Sequence, residues 1–294
     1  MNALRTLILL TFSGLLGACG GSSTDSASAN RSISIAFQAY AGSTPINCDA
    51  TLQGLGSHGS DATLADFKLF VHNLRLVTDE GIELPVTLDE IDGWQTDGIA
   101  LLDFQDRFNS CDGDNKPVNT GIHGQVSDLP VVISGIRFTV GVPVSHNHLN
   151  QATATAPLNT QAMFWSWQGG FKHMRFDVKP SGGVALSNGS TGSVWQFHLG
   201  DTSCSSDPVG SCEYRNRPQI ELDSFVENSS AIRIDYAALV ADSALGSDAG
   251  GAPGCMSGST DPECNALFDN LGLLLGDAAG PAAAPTVFSI VLTP

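Results

Sequence analysis

Apolar and polar residues alternate with a period of two along much of this chain. Ile33, Ile35 and Phe37 alternate with Ser32, Ser34 and Ala36. Phe67, Leu69 and Val71 alternate with Lys68, Phe70 and His72, and Met174, Phe176 and Val178 with His173, Arg175 and Asp177. Val132, Ile136, Phe138 and Val140 share a face opposite Arg137 and Thr139. Ile232, Ile234 and Tyr236 alternate with Arg233 and Asp235, and a last strand is expected near Val287 to Leu292. Successive side chains of a strand point to opposite faces, so this alternation marks strands with one apolar face. Clusters of Gly, Pro, Asn and Asp separate the runs, as turns do. The pattern predicts an all-β fold, an antiparallel β-sandwich or open barrel. Helical periodicity is scarce. One short helix is expected near the C-terminus, with Asp261 as N-cap, Pro262 in the first position, Leu267, Phe268 and Leu271 on one side and Gly272 at its end. Asn109 to Asp128 and Ala241 to Asp261 read as long loops, each with cysteines to brace it. Neither an internal repeat nor a second composition regime appears, so residues 32–294 read as one domain.

The N-terminus departs from this pattern. Arg5 precedes a short apolar stretch from Leu7 to Leu16, followed by Leu16-Gly17-Ala18-Cys19. Such a stretch is too short for a stable transmembrane helix and has the form of a signal peptide. Residues 1–18 are therefore expected to be removed, leaving Cys19 as an acylated first residue. Gly20 after it is not the Asp that retains lipoproteins in the inner membrane, which favours the outer membrane. The small polar run from Gly20 to Arg31 reads as a flexible tether, so 19–31 is the anchor segment.

Charge and cysteine content narrow the class. The net charge is −17. A strongly acidic protein repels phosphate backbones, which argues against nucleic acid as a partner and against anionic lipid except through the anchor. Besides Cys19 there are Cys48, Cys111, Cys204, Cys212, Cys255 and Cys264, an even number that suits disulfides in an oxidising compartment. Local spacing favours Cys204–Cys212 and Cys255–Cys264, leaving Cys48–Cys111. The alternative, a zinc site, lacks a tight C-x-x-C pair.

Hydrolase and nucleotide motifs are absent: no G-x-S-x-G, no H-E-x-x-H, no Walker loop. Cys111-Asp112-Gly113-Asp114-Asn115 is an acidic turn, since it lacks a calcium loop's third ligand position and terminal Glu. Other side chains offer softer chemistry. His146 and His148 flank Asn147, His198 lies opposite the face of Trp195, Phe197 and Leu199, and Met256 follows Cys255. Imidazole with thioether suits copper, particularly Cu(I), and suits calcium or magnesium poorly. Each residue also has a plain reading, as a solvated loop imidazole or a gap-filling thioether. Trp165 and Trp167, at i and i+2, would share one face of a strand.

These residues lie in blocks that resemble the MbnP-like family of periplasmic copper proteins, the four-Cys members of a "metallo-mystery pair". The blocks are Leu101-Leu102-Asp103-Phe104; Arg137-Phe138-Thr139-Val140-Gly141-Val142-Pro143 with Asn147-His148; Phe164-Trp165-Ser166-Trp167-Gln168-Gly169-Gly170; Phe197-His198-Leu199-Gly200; Asn216-Arg217-Pro218; and Gly254-Cys255-Met256-Ser257-Gly258 through Cys264. His173 departs from the aromatic or aliphatic residue expected there, which speaks against it as a shared ligand. The resemblance implies an all-β copper protein, itself no enzyme, encoded beside an MbnH-type di-haem cytochrome that oxidises a tryptophan to kynurenine. An intact indole nitrogen only donates, whereas the opened ring presents a ketone and an aromatic amine to a cation. The expected site is copper, Cu(I) or Cu(II), near His148 and His198, with Met256 as a softer ligand, His146 in reserve, and Trp165 or Trp167 oxidised. The competing reading is a surface-tethered adhesion or interaction module whose His and Met are incidental. A hydrolase ranks last, having no nucleophile–base pair.

Overall fold

The structure, a computed structural model, describes residues 29–207, 209–276 and 285–293. The expected signal peptide, Cys19 and the tether up to residue 28 lie outside the described residues. The first strand, Asn30–Ala41, already includes Arg31, which pairs across the sheet with Val126 and forms an ion pair with Glu227. The folded domain thus begins two residues before Ser32, inside the segment read as tether.

Two sheets pack face to face. The smaller runs Phe288–Leu292, Ser230–Asp235, Asn30–Ala41, Gly121–Ser127 and Thr87–Leu88 in spatial order. The larger runs Gln219–Asp223, Ile133–Val140, Ser60–Thr78, Gly170–Pro180, Trp195–Gly200 and Gly254–Cys255. The sheets do not close into a barrel, so the sandwich alternative holds. Most pairs are antiparallel, but Asn30–Ala41 runs parallel to Ser230–Asp235, and Trp195–Gly200 parallel to Gly254–Cys255. Among the described residues, no helix is long and apolar enough to cross a membrane.

The inner faces meet in an aromatic core. Phe37 and Phe288 each meet Phe138 edge-on at 5.7 Å between ring centroids, and Phe67 stacks on Phe176 at 3.9 Å. The outer face of the larger sheet is covered too. Phe70, expected on the polar side of its strand, is fully buried with Ile99, Val142, Met163 and Phe171 beneath residues 141–163. His173 is buried against that layer, its ring accepting from Val142 N–H, and Asp177 on the same strand is buried with His198. Burial on both sides is why the strands fail to show one exposed polar face.

Several expectations change. The segment Asn109 to Asp128 contains a strand, Gly121–Ser127, whose alternation is broken in the sequence by Gly124. A Cβ at Gly124 would stand 2.5 Å from the Thr87 carbonyl oxygen, so close strand approach excludes the apolar side chain that would have marked it. Val132 precedes its strand and is exposed, and Thr139 is buried rather than solvated. Tyr236 ends no strand but opens a short helix, Tyr236–Leu239, capped by the Asp235 carboxylate accepting from Ala237 N–H. The C-terminal helix is Cys264–Asn270, starting later than Asp261-Pro262 suggests, and the Asp261 carboxylate, accepting from Glu263 N–H, caps the turn that leads into it. The disulfides are Cys48–Cys111, Cys204–Cys212 and Cys255–Cys264, as the spacing predicts.

One core residue carries an early test. The Tyr236 ring stacks on Phe176 with centroids 3.8 Å apart, yet its hydroxyl is buried without a partner, and burial pushes the phenol well above its ordinary pKa. Removing an unpaired buried hydroxyl sheds a desolvation penalty of about 1 kcal/mol or more. Tyr236→Phe should therefore leave stability in chemical denaturation unchanged or raise it by about 1 kcal/mol. A clear loss would mean the hydroxyl has a bound partner.

Candidate metal centre

The candidate residues gather on the outer face of the larger sheet, around a short hairpin. Phe164–Ser166 pairs with the start of Gly170–Pro180, and Trp167 to Gly169 make the turn. Gly170 holds a φ of +76°, and a Cβ there would lie 2.5 Å from the Asn147 carbonyl oxygen. Glycine thus lets the turn bearing His146 and His148 close onto the hairpin. Gly200 plays a similar part on the neighbouring strand. A Cβ on it would come within 2.4 Å of Trp165 Cζ3, so the indole lies directly on that backbone.

The tryptophans part company. Trp165 lines an open cleft of about 370 Å³ together with Met256, Asp201 and Cys204. Trp167 falls in the turn, is 57% exposed, and lines another cleft with His148. The expectation of one shared face fails because the strand ends at Ser166, which borders both clefts.

His198 is buried on the outer face, and its Nε2 lies 3.0 Å from Asp177 Oδ1. Burial pushes His198 below the ordinary imidazole pKa, outweighing the pull of Asp177. Burial alone would push Asp177 up, but His198 and Arg175 hold it below the usual carboxylate range. An ionised carboxylate only accepts, so Nε2–H is the donor and Nδ1 keeps the lone pair. Gln196 is in register with Gly254 and Phe197 with Cys255. Cys255 and Phe197 both face the core. Met256 follows the end of the Gly254–Cys255 strand and lines the cleft that holds Trp165. Ser257 fastens this segment, its hydroxyl donating to the His198 carbonyl and accepting from Gly200 N–H. The structure therefore brings Trp165 and Met256 into one cleft, with Trp165 lying on Gly200 at the end of the strand that bears His198.

His148 stands by the Cys204–Cys212 disulfide, its Nε2 3.5 Å from Cys212 Sγ. His146 faces elsewhere, with Nδ1 2.9 Å from Ser145 Oγ and Nε2 4.0 Å from Asp97. His173 is wholly buried. Its Nε2–H donates to Asp201 Oδ1 at 3.0 Å, and its Nδ1 accepts from Val142 N–H at 3.3 Å. Both ring nitrogens are used, so His173 is a strut rather than a ligand. Asp201 also accepts from Arg217 at 2.7 Å and from Asn147 Nδ2 at 3.0 Å. That carboxylate ties the His146–His148 turn to the sheet at the edge of the Trp165 cleft.

A family model described as MbnP matches residues 30–257. The chain belongs to the MbnP family. The solved structure of MbnP from Methylosinus trichosporium superposes with a TM-score of 0.82 at 30% identity, covering 90% of this chain and all of the other. Among curated proteins, none matches. The family-matched segment includes His146, His148, Trp165, Trp167, His198 and Met256, and it stops short of Cys264 and the C-terminal helix. Both partners of the Cys204–Cys212 ribbon and the Asp201 strut also lie within it. Sequence reading missed Asp201 and Asp177 as anchors of this region. Asp177 was visible in the alternation of its strand, whereas nothing local to Asp201 marks it, since its partners come from three distant segments.

Proposed function

We propose that this protein binds copper on the outer face of its larger sheet, with His198 and Met256 as ligands and Trp165 as the residue converted to kynurenine. The observation that carries the reading is the Trp165 indole lying on Gly200 with Met256 in the same cleft, beside the strand that bears His198, in a segment that belongs to the MbnP family. The donor chemistry fits. His198 is held neutral by burial, and Asp177 fixes its orientation, an arrangement that commonly supports metal-bound imidazole. Lys172 and Arg175 lie close enough to oppose a cation, which disfavours a hard divalent ion and suits a singly charged soft one. His148, beyond the Cys204–Cys212 disulfide, is a further imidazole, and His146 a reserve. Opened to kynurenine, Trp165 would offer a ketone and an aromatic amine where the indole offers only a donor. The oxidant in this reading is a di-haem cytochrome of the MbnH type. Export, acylation at Cys19 and tethering at the outer membrane complete it, and the protein itself is a copper-binding substrate rather than an enzyme.

Copper titration with intact mass tests the proposal. His198→Ala and Met256→Ala should each weaken binding by at least about tenfold, the lower bound typical even of outer-shell partners. The tryptic peptide carrying Trp165 should change mass only after co-expression with the cytochrome. Unaltered affinity in both variants would sink the ligand assignment, and an unmodified Trp165 would sink the kynurenine part alone. The competing interaction-module reading draws on the exposure of Trp167. A wild-type protein that takes up no copper would decide for it.

A further inference from the structure

We propose a second, redox-gated site for a soft metal ion, made of His148 with Cys204 and Cys212 once their disulfide is reduced. It uses neither His198 nor Met256, and it assigns His148 to this second ion instead of the copper at His198. Among the described residues, these three form the group of His, Cys, Asp and Glu side chains in which every candidate ligand atom lies within 4.8 Å of the others. While the disulfide is intact, its sulfurs are poor ligands, because metals bind thiolates. The imidazole is nevertheless already aimed. His148 Nδ1 lies 3.2 Å from the Trp167 carbonyl oxygen, which can only accept, so Nδ1 carries the hydrogen and Nε2 the lone pair. That lone pair faces Cys212 Sγ at 3.5 Å, where a disulfide has no hydrogen to give. A long contact of 3.4 Å from Asn147 Nδ2, which also serves Asp201, is its other neighbour. Gly210 makes room for the ring, since a Cβ there would press on His148 Cδ2 at 3.1 Å.

The bond is placed to open without unfolding the domain. Cys204 and Cys212 sit directly opposite each other in a two-stranded ribbon, Thr202–Ser206 with Val209–Tyr214, outside both sheets of the sandwich. Their separation is 8 residues against 63 for Cys48–Cys111, so far less chain entropy is released on reduction. Cys255 and Cys264 also close a short loop but are fully buried, whereas Cys204 is half-exposed. Attack by a thiolate on a disulfide requires access, which selects this bond.

The chemistry balances with a small dithiol as reductant. Its two thiols become a disulfide, and two electrons and two protons pass to Cys204 and Cys212. Binding of Cu(I) then displaces both thiol protons and leaves two thiolates and one neutral imidazole around the ion, a ligand set suited to it.

The test uses the mature protein, oxidised and after mild dithiol treatment, with the reductant removed anaerobically. Peptide mapping should find free thiols at Cys204 and Cys212 first, with the melting transition retained. Competitive titration with Cu(I) should then show one more equivalent bound by the reduced protein than by the oxidised one. His148→Ala should weaken that added equivalent by at least about tenfold. The Cys204→Ser/Cys212→Ser protein should lack it, and His198→Ala should keep it even if its other copper is lost. An identical stoichiometry before and after reduction overturns the proposal. So does an added equivalent that His148→Ala leaves unchanged, or reduction that begins at Cys255–Cys264.

Discussion

Asp201→Ala is expected to destabilise the protein by about 3–5 kcal/mol, the loss typical when one member of a buried ion pair is removed. The Asp201 side chain is 3% exposed and that of Arg217 is 8% exposed, and they meet at 2.7 Å. Burial would raise Asp201, but His173 and Arg217 hold it below the ordinary carboxylate range, so it is ionised at neutral pH. Without the carboxylate, the guanidinium is left with the Val142 carbonyl, to which Nε donates at 2.6 Å, while its Nη2 is already buried without a partner. His173 and Asn147 lose their acceptor as well. Most of the penalty is the stranded charge, so Arg217→Met in the Asp201→Ala background should recover a large part of it. Urea unfolding of the two single variants and the double variant measures this coupling. A single-variant loss below about 1 kcal/mol would show that water reaches Arg217 and relieves it. Because Asp201 also borders the Trp165 cleft, Trp165 fluorescence should shift in the folded variant.

The fold class was legible because strand alternation survives wherever one face meets the core. Ile33, Ile35 and Phe37, or Met174, Phe176 and Val178, carry it plainly, and the inner faces are where they belong. It was lost where backbones approach too closely for side chains, as at Gly124, and it does not reveal that the polar face is itself buried, as at His173 and Asp177. The disulfides were legible from spacing alone, since Cys204 and Cys212 need only a hairpin to meet. The site was legible in its residue types but not in its grouping. Nothing between Trp165 and Trp167 announces that the strand ends at Ser166 and sends them to different clefts. Likewise, the Met256 segment lies beside the His198 strand only because two residues, Gly254 and Cys255, add a parallel strand to the edge of the sheet. Long-range pairing of that kind leaves no periodic trace.

Acid should destabilise the metal-free protein well before its carboxylates are protonated. Burial pushes His72, His173 and His198 below the ordinary imidazole value of 6.5, His72 to about 4. Below pH 6.5 the unfolded chain takes up protons on these rings and the folded chain does not, so stability falls as pH falls. For His72 the loss runs from about 6.5 down to about 4, which at 1.36 kcal/mol per pH unit is at most about 3–4 kcal/mol. Its half-buried ring lowers that figure, but the fully buried His173 adds to it in the same direction. Asp177 and Asp201 do not enter this window. Their folded pKa values are depressed, so their contribution persists above the ordinary carboxylate range and is lost only in stronger acid. Asp261 opposes the trend. Burial and the neighbouring Glu263 raise it to about 6, so the folded state gains a proton there first and is favoured as pH drops. That carboxyl is more solvent-exposed than the imidazoles, and screening reduces its share, so the histidines prevail. Urea midpoints should therefore be lower at pH 5 than at pH 7, His72→Asn should flatten the difference, and Asp261→Asn should steepen it. A midpoint that rises on going from pH 7 to pH 5 would mean that the imidazoles accept protons in the folded state, and the neutral His198 that copper binding requires would have to be abandoned with them.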